Sequence, residues 1–310
     1  MSKKEKQFMK KVLAIILAVI MLLSLCACSG GKQEEPKKPS YPKEIFTTKE
    51  KGYSFKEMWI YNEDQQRRIW GAEMIPDGIA EGEKVPLILY MHGASGQTPP
   101  LKTQAEQLIG DKVAGFLFEA CGANSSTPQS DGRGWTNVHI SSRTSDLMTA
   151  IEYVRTLDYV DQDRIFLYGR SMGGVSVMIA AGFFTEGEFP GIIIESSGLG
   201  ATWGGMLNVS ERSEHVVEEY AITNDQWEDW VVKYPGDVLF VCAEYDIAPH
   251  ASENSYPAAL YAADVYRRTE GRDVVFCSLP NPESTHTWNS FAEDDKITAI
   301  NAIRDFVLAR

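Results

Sequence analysis

The stretch Ile165-Phe-Leu-Tyr-Gly-Arg-Ser-Met-Gly-Gly174 constrains this chain more than any other. Its first four residues are apolar and β-prone, which predicts a buried strand; the run Val175–Phe184 after it suits a helix. Between them lies Gly169-x-Ser171-x-Gly173, the pattern of a strand turning straight into a helix with a serine at the tip. So sharp a turn strains the tip residue. Glycines two before and two after it remove the Cβ atoms that would collide there. The pattern predicts that the Ser171 hydroxyl stands above a sheet. The Met172 amide, at a helix N-terminus, then faces any negative charge that develops on a bound group.

Around this turn, strand-like and helix-like runs alternate, which predicts a mainly parallel, doubly wound sheet with helices on both faces. Tyr53–Tyr61 and Arg68–Ile75 read as an opening antiparallel pair. Val85–Met91, Val113–Phe118, Ile165–Tyr168, Gly191–Glu195, Val238–Ala243 and Val274–Leu279 read as further strands. Helices are expected over Leu101–Ile109, from Thr144 or Ser145 to Leu157, over Tyr256–Thr269 and over Asp294–Leu308. Two stretches break the rhythm. The long loop 119–143 carries Trp135 and His139, which are candidates to line a pocket. Residues 198–235 read as an insertion with two short helices, the second capped by Thr223-x-x-Gln226. Its Trp203, Met206, Trp227 and Trp230 suggest a helical lid, with Trp203 a candidate substrate contact.

The N-terminus is expected to lie outside the fold. Five lysines precede the apolar run Val12–Leu25, which is too short for a comfortable membrane span and suits a signal peptide. It ends Leu25-Cys-Ala-Cys28, a pattern like a bacterial lipobox with Cys28 as the lipidated residue. Residues 1–28 thus read as a lipoprotein signal peptide that places the protein on the extracytoplasmic side of a membrane. Residues 29–44, polar and Pro-rich, read as a tether, and 45–310 as the folded domain. The chain carries a net charge of −13, which argues against nucleic acid as a partner. Cys121, Cys242 and Cys277 are an odd number without metal-ligand spacing. Cys242 and Cys277 lie in apolar strands, so buried free thiols are the default and a bridge between them the alternative.

A serine hydroxyl needs a base, and the base an orienting acid. Of the five histidines, His286 lies in a turn-rich loop between the last strand and the last helix, and it is the candidate base. His92, followed by Gly93 directly after a strand, suits an oxyanion loop instead. His139 precedes the serine, His215 sits in the insertion, and His250 is a loop residue near Asp246. Asp246, just past the strand Val238–Ala243, is the candidate acid, with Glu244 the alternative and Glu195 a remoter one. Ala94, or else Gly93, is the second candidate oxyanion donor beside Met172, while Ser95 lacks the turn pattern.

These residues, His92-Gly93, Gly169-Arg-Ser-Met-Gly-Gly174, Asp246 and His286 in that order, resemble the α/β-hydrolases, in particular the dienelactone hydrolase and prolyl-oligopeptidase-like branch. The resemblance covers roughly residues 50–310. It implies the α/β-hydrolase fold and hydrolysis of small-molecule esters, sometimes amides, through an acyl-enzyme, with no metal or organic cofactor. Serine rather than cysteine at the turn argues against dienelactone hydrolase activity itself. The chain has no β-propeller segment, which argues against a true oligopeptidase.

Overall fold

The computed structural model describes residues 41–94, 96, 98–121, 123, 130–132, 140–198, 224–246, 255–286 and 288–310. Within these, nine strands form one sheet: β1 (Lys43–Glu50), β2 (Tyr53–Asn62), β3 (Arg67–Pro76), β4 (Val85–Met91), β5 (Ala114–Phe118), β6 (Val160–Arg170), β7 (Gly191–Glu195), β8 (Asp237–Ala243) and β9 (Val274–Leu279). The order is β1-β2-β3-β5-β4-β6-β7-β8-β9. The pairings β1–β2, β2–β3 and β3–β5 are antiparallel, and all the others are parallel. The described helices are α1 (Pro99–Glu106), α2 (Ile140–Val154), α3 (Met172–Ala181), α4 (Asn224–Val231), α5 (Ser255–Arg267) and α6 (Glu293–Leu308).

Side-chain alternation along the central strands divides the core in two. Leu87, Leu89 and Met91 of β4 face α2, α3 and α5, where they join Leu147, Val177 and Ala262. Ile88 and Tyr90 face the other way, toward α1 and α6, beside Leu101, Phe166, Ile303 and Phe306. Every residue of β4 is buried, because helices cover both faces of the sheet. That is why β4 reads in sequence as one unbroken apolar run. The sheet order reverses at β4, with β5 on one side and β6 on the other. Such a switch point leaves a crevice beyond the carboxyl ends of the strands, and it places His92 and Ser171 side by side.

β4, β7 and β9 lie as the sequence pattern predicts, and the other predicted strands and helices differ at their ends. α2 begins at Ile140, ahead of Thr144. β6 starts at Val160, which pairs with Val85; its polar opening Asp161-Gln-Asp163 forms an irregularity outside the core, and pairing resumes at Ile165. β1 has no counterpart in the sequence reading. All eight of its residues are exposed and, among the described residues, its one strand partner is β2; backbone hydrogen bonds and the polar contacts of Lys49 with Ser54 and Asp77 hold it, so it leaves no hydrophobic signal. The ordered domain therefore begins before residue 45, inside the segment read as tether.

Two further expectations resolve here. Val241 pairs with Cys277 and Cys242 with Ser278, so a one-residue offset sends the Cys242 and Cys277 side chains to opposite faces of the sheet. They form no bridge, and Cys121, Cys242 and Cys277 are free thiols. Of the insertion, residues 199–223, including Trp203 and Met206, lie outside the described residues. The second expected helix is α4. Its Trp230 donates its indole N–H to the Ile179 carbonyl at 3.0 Å and stacks edge-on against Phe183. Trp230 thus packs α4 against the far end of α3, about 15 Å from Ser171 by helix rise.

Beneath the serine turn, a buried network ties β6 to β7 and to α1. Arg170 Nε lies 2.5 Å from Glu195 Oε1, the Gln104 amide donates to Glu195 Oε2 at 2.7 Å, and Arg170 Nη2 donates to Gln104 Oε1 at 3.0 Å. Deleting one partner strands the other charge. Glu195→Leu or Arg170→Met alone should each cost about 3–5 kcal/mol of unfolding free energy, while the double variant should recover much of that loss. Urea titration of the four proteins measures it; strictly additive losses would contradict the pairing.

Candidate active site

β6 ends at Arg170 and α3 begins at Met172, so Ser171 alone makes the turn. It does so at φ 52° and ψ −123°, a backbone conformation that costs a non-glycine residue about 1–3 kcal/mol. Its neighbours fix that conformation by crowding. A Cβ on Gly169 would sit 2.5 Å from the Gly173 carbonyl oxygen, and one on Gly173 would sit 2.6 Å from the carbonyl oxygens of both Met91 and His92. The Ser171 N–H donates to the Glu195 carbonyl at 2.9 Å, fastening the tip to β7.

The three residues singled out for nucleophile, base and acid come together. Ser171 Oγ lies 2.8 Å from His286 Nε2, and His286 Nδ1 lies 2.9 and 3.0 Å from the two Asp246 carboxylate oxygens. With its proton on Nδ1, facing the carboxylate, the imidazole leaves Nε2 free to accept from the hydroxyl. Asp246 is fully buried, and the His286 side chain keeps 20% of its surface exposed, so the ring opens toward solvent. The Asp246 loop is tied at both ends: its N–H donates to the Ala243 carbonyl, and its own carbonyl accepts from the Ser255 N–H at the start of α5. The His286 loop is held by buried Ser284, whose hydroxyl bonds the Asp295 carboxylate and accepts from the Ala292 N–H. The alternative acids are engaged elsewhere. Glu244 accepts from the Ser278 hydroxyl at 2.7 Å, and Glu195 belongs to the Arg170 network.

The His92-Gly93 turn lies against the serine. A Cβ on Gly93 would come within 3.2 Å of Ser171 Cβ, so only glycine lets the two segments meet comfortably. Neither the Ala94 N–H nor the Met172 N–H donates to a described residue. Both belong to segments that adjoin Ser171, and amides free to donate are what a forming oxyanion requires. His92 itself is no base. Its Nε2 accepts from the Ala120 N–H at 2.9 Å and its Nδ1 lies 2.5 Å from the Gly93 carbonyl. Burial, reinforced by the Arg143 guanidinium, pushes its pKa down to about 3.

Ser95, Trp135, His139, Trp203, His215, His250 and Cys28 lie outside the described residues, as does the Trp227 side chain. Sequence reasoning missed Arg143 and the partners of Arg170. A charged residue closing an apolar strand directly before the serine was the visible sign of the second; the first lies in a helix whose polarity suits a surface.

Comparison with known proteins fits this geometry. Residues 139–201 match the prolyl oligopeptidase family model, a span that takes in α2, the serine turn and β7. The quorum-quenching protein AidA of Acinetobacter baumannii is 30% identical over 97 residues, which is 31% of this chain and 31% of AidA. Est1E of Butyrivibrio proteoclasticus, solved with ferulic acid bound, superposes with a TM-score of 0.60 at 20% identity, covering 81% of this chain and 98% of Est1E. The acetyl xylan esterase of Paenibacillus sp. R4 superposes with a TM-score of 0.59 at 20% identity, covering 86% and 90%. The chain has the α/β-hydrolase fold.

Two outcomes check the site. Gly173→Ala should disorder the turn and lower the melting temperature, since its Cβ meets backbone oxygens that cannot move aside; an unchanged melt would contradict the geometry. His92 should stay neutral and keep its proton on Nδ1 in the folded protein from pH 8 to 5, read by ¹⁵N chemical shifts. Because its pKa in the fold is below the ordinary 6.5, acid between those values protonates the unfolded chain first and destabilises the fold. A His92 titration near pH 6.5 in the folded protein would contradict its burial.

Proposed function

We propose that this chain, an α/β-hydrolase by fold, is a serine hydrolase that cleaves carboxylic esters through an acyl-enzyme, with Ser171, His286 and Asp246 as its triad. The observation that carries the reading is the continuous path from Ser171 Oγ through His286 to Asp246. In the forward step, Ser171 Oγ attacks the ester carbonyl carbon while His286 Nε2 takes its proton. Asp246 stabilises the imidazolium and holds its orientation. The Met172 and Ala94 amides receive the charge that moves onto the carbonyl oxygen. His286 then protonates the departing alcohol. Water, activated by the same nitrogen, releases the acid and restores Ser171.

Esters of acyl or aryl acids on glycans are the proposed substrate class. Est1E and the acetyl xylan esterase, whose chains are covered almost throughout, support it. The prolyl oligopeptidase match favours a second reading, a peptidase or amidase on the same triad. That match spans the serine turn, which both reactions share, and ends before Asp246 and His286. We further propose that the protein is exported and lipid-anchored through Cys28, on the strength of Leu25-Cys-Ala-Cys28 after an apolar run.

Matched acetyl and feruloyl ester and anilide substrates separate the readings. Ester turnover should exceed anilide turnover by orders of magnitude, and Ser171→Ala should lower kcat on the order of 10⁴–10⁶-fold. Preferential anilide cleavage would establish the peptidase reading, and a Ser171→Ala variant as active as the wild type would remove both. In detergent phase separation, the protein should enter the detergent phase and Cys28→Ala the aqueous phase; identical partitioning would contradict the anchor.

A further inference from the structure

Arg143 of α2 is the largest fully buried side chain of the described residues, and it pairs with no carboxylate among them. A buried, unpaired guanidinium is strongly unfavourable, and an apolar residue of similar size would fill the space without that cost. Burial duly pulls its pKa below the usual arginine range. Apart from a 3.4 Å approach of Nη2 to His92 Nδ1, what the guanidinium touches is backbone. Nη2 donates to the His92 carbonyl at 2.7 Å and to the Gly93 carbonyl at 3.2 Å, and Nη1 donates to the Cys121 carbonyl at 3.1 Å. Two of these three acceptors belong to the turn pressed against Ser171.

The Gly93 carbonyl matters because it shares a rigid peptide plane with the Ala94 amide. In a trans peptide the C=O and N–H point in opposite directions. Fixing the oxygen therefore aims the hydrogen. Arg143 Nη2 and His92 Nδ1 converge on that oxygen, and the Gly96 N–H approaches it at 3.3 Å. His92 is in turn oriented by the Ala120 amide. Cys121, the third Arg143 acceptor, is fixed by its N–H donating to Asp146 Oδ2 at 2.8 Å, and Asp146 is ion-paired to Arg67. The guanidinium thus hangs from a braced segment on one side and grips the turn on the other.

We infer that Arg143 is a positioning residue for the oxyanion site: it holds the Gly93–Ala94 peptide plane so that the Ala94 N–H faces the acyl oxygen of the bound substrate. The inference rests on the triad reading above, in which Ala94 is one of two oxyanion donors. Arg143 touches neither substrate nor triad, so its loss should be felt only where charge develops. Misaimed donors of this kind lower turnover on the order of 10²-fold and leave ground-state binding nearly unchanged.

The test uses wild type, Arg143→Lys and Arg143→Met with one good ester substrate. A trifluoromethyl ketone, which forms a tetrahedral adduct on the serine, serves as a probe of the oxyanion site. Circular dichroism melts accompany the kinetics. The expected result is kcat about 100-fold lower in Arg143→Met with KM within about twofold. Trifluoromethyl ketone affinity should fall by the same factor as kcat. Arg143→Lys, which keeps one charged donor, should lie between. If Arg143→Met does not fold, Arg143→Lys carries the test alone, with kcat and adduct affinity falling together at constant KM. Unchanged kcat and adduct affinity in a folded variant would overturn the inference, and so would a loss of folded protein with no change in kcat per active site. Failure of the triad reading looks different, because the wild type itself would then form no adduct at Ser171.

Discussion

Everything at the candidate site depends on one steric constraint, the closure of the chain on itself around Ser171. Gly169 and Gly173 are in backbone contact, and Gly173 also touches the carbonyls of Met91 and His92, so β4, β6 and α3 meet at a point with no side chain between them. The strained Ser171 backbone persists because these contacts leave no alternative. The hydroxyl is consequently held at a fixed height above the sheet, where loops from β8 and β9 bring Asp246 and His286 to it. The buried apolar faces of β4 and β6 provide the rigidity that keeps this point from relaxing.

Around that point the protein uses buried charge for position. The Arg170–Glu195–Gln104 network lies under the turn on the α1 and α6 side, and the Arg143–His92 contacts lie beside it on the α2 side. Neither resembles a surface ion pair, since the Arg143, Arg170 and Glu195 side chains are almost wholly removed from solvent. A core built only for stability would replace such groups with apolar ones. Arg143 grips the backbone carbonyls of the His92-Gly93 turn, and Arg170, directly before Ser171, is held by the Glu195 and Gln104 side chains. This pattern fits a site in which amide directions must be held to small tolerances.

Much of this was legible in the sequence, for reasons that differ by element. β4, β7 and β9 were legible because burial on both faces, or a sharp polar boundary, makes a strand a continuous apolar run. Ser171 was legible because its turn demands glycine at two set spacings, and Asp246 and His286 because each follows a strand in an order that the fold dictates. β1 was not, since its side chains are all exposed and its hold on β2 is by backbone and surface polar contacts. The start of α2 was missed because Ser141, Ser142 and Arg143 look like loop or surface residues, yet Ser141 and Arg143 are buried. Arg143 was hidden for the same reason: its partners are carbonyl groups, which every residue carries and no sequence reveals. The packing of Trp230 on Ile179 and Phe183 was hidden too, because aromatic content alone does not say which neighbour a side chain packs against.

The central claim is that Ser171 is the one activated serine of this protein, and active-site labelling tests it most directly. A fluorophosphonate probe, followed by proteolysis and mass spectrometry, should place a single stoichiometric adduct on Ser171. The label should be lost when His286 is replaced by alanine, because among the described residues His286 is the group that meets the Ser171 hydroxyl. An adduct on a different serine, or labelling at Ser171 that is indifferent to His286, would contradict the account.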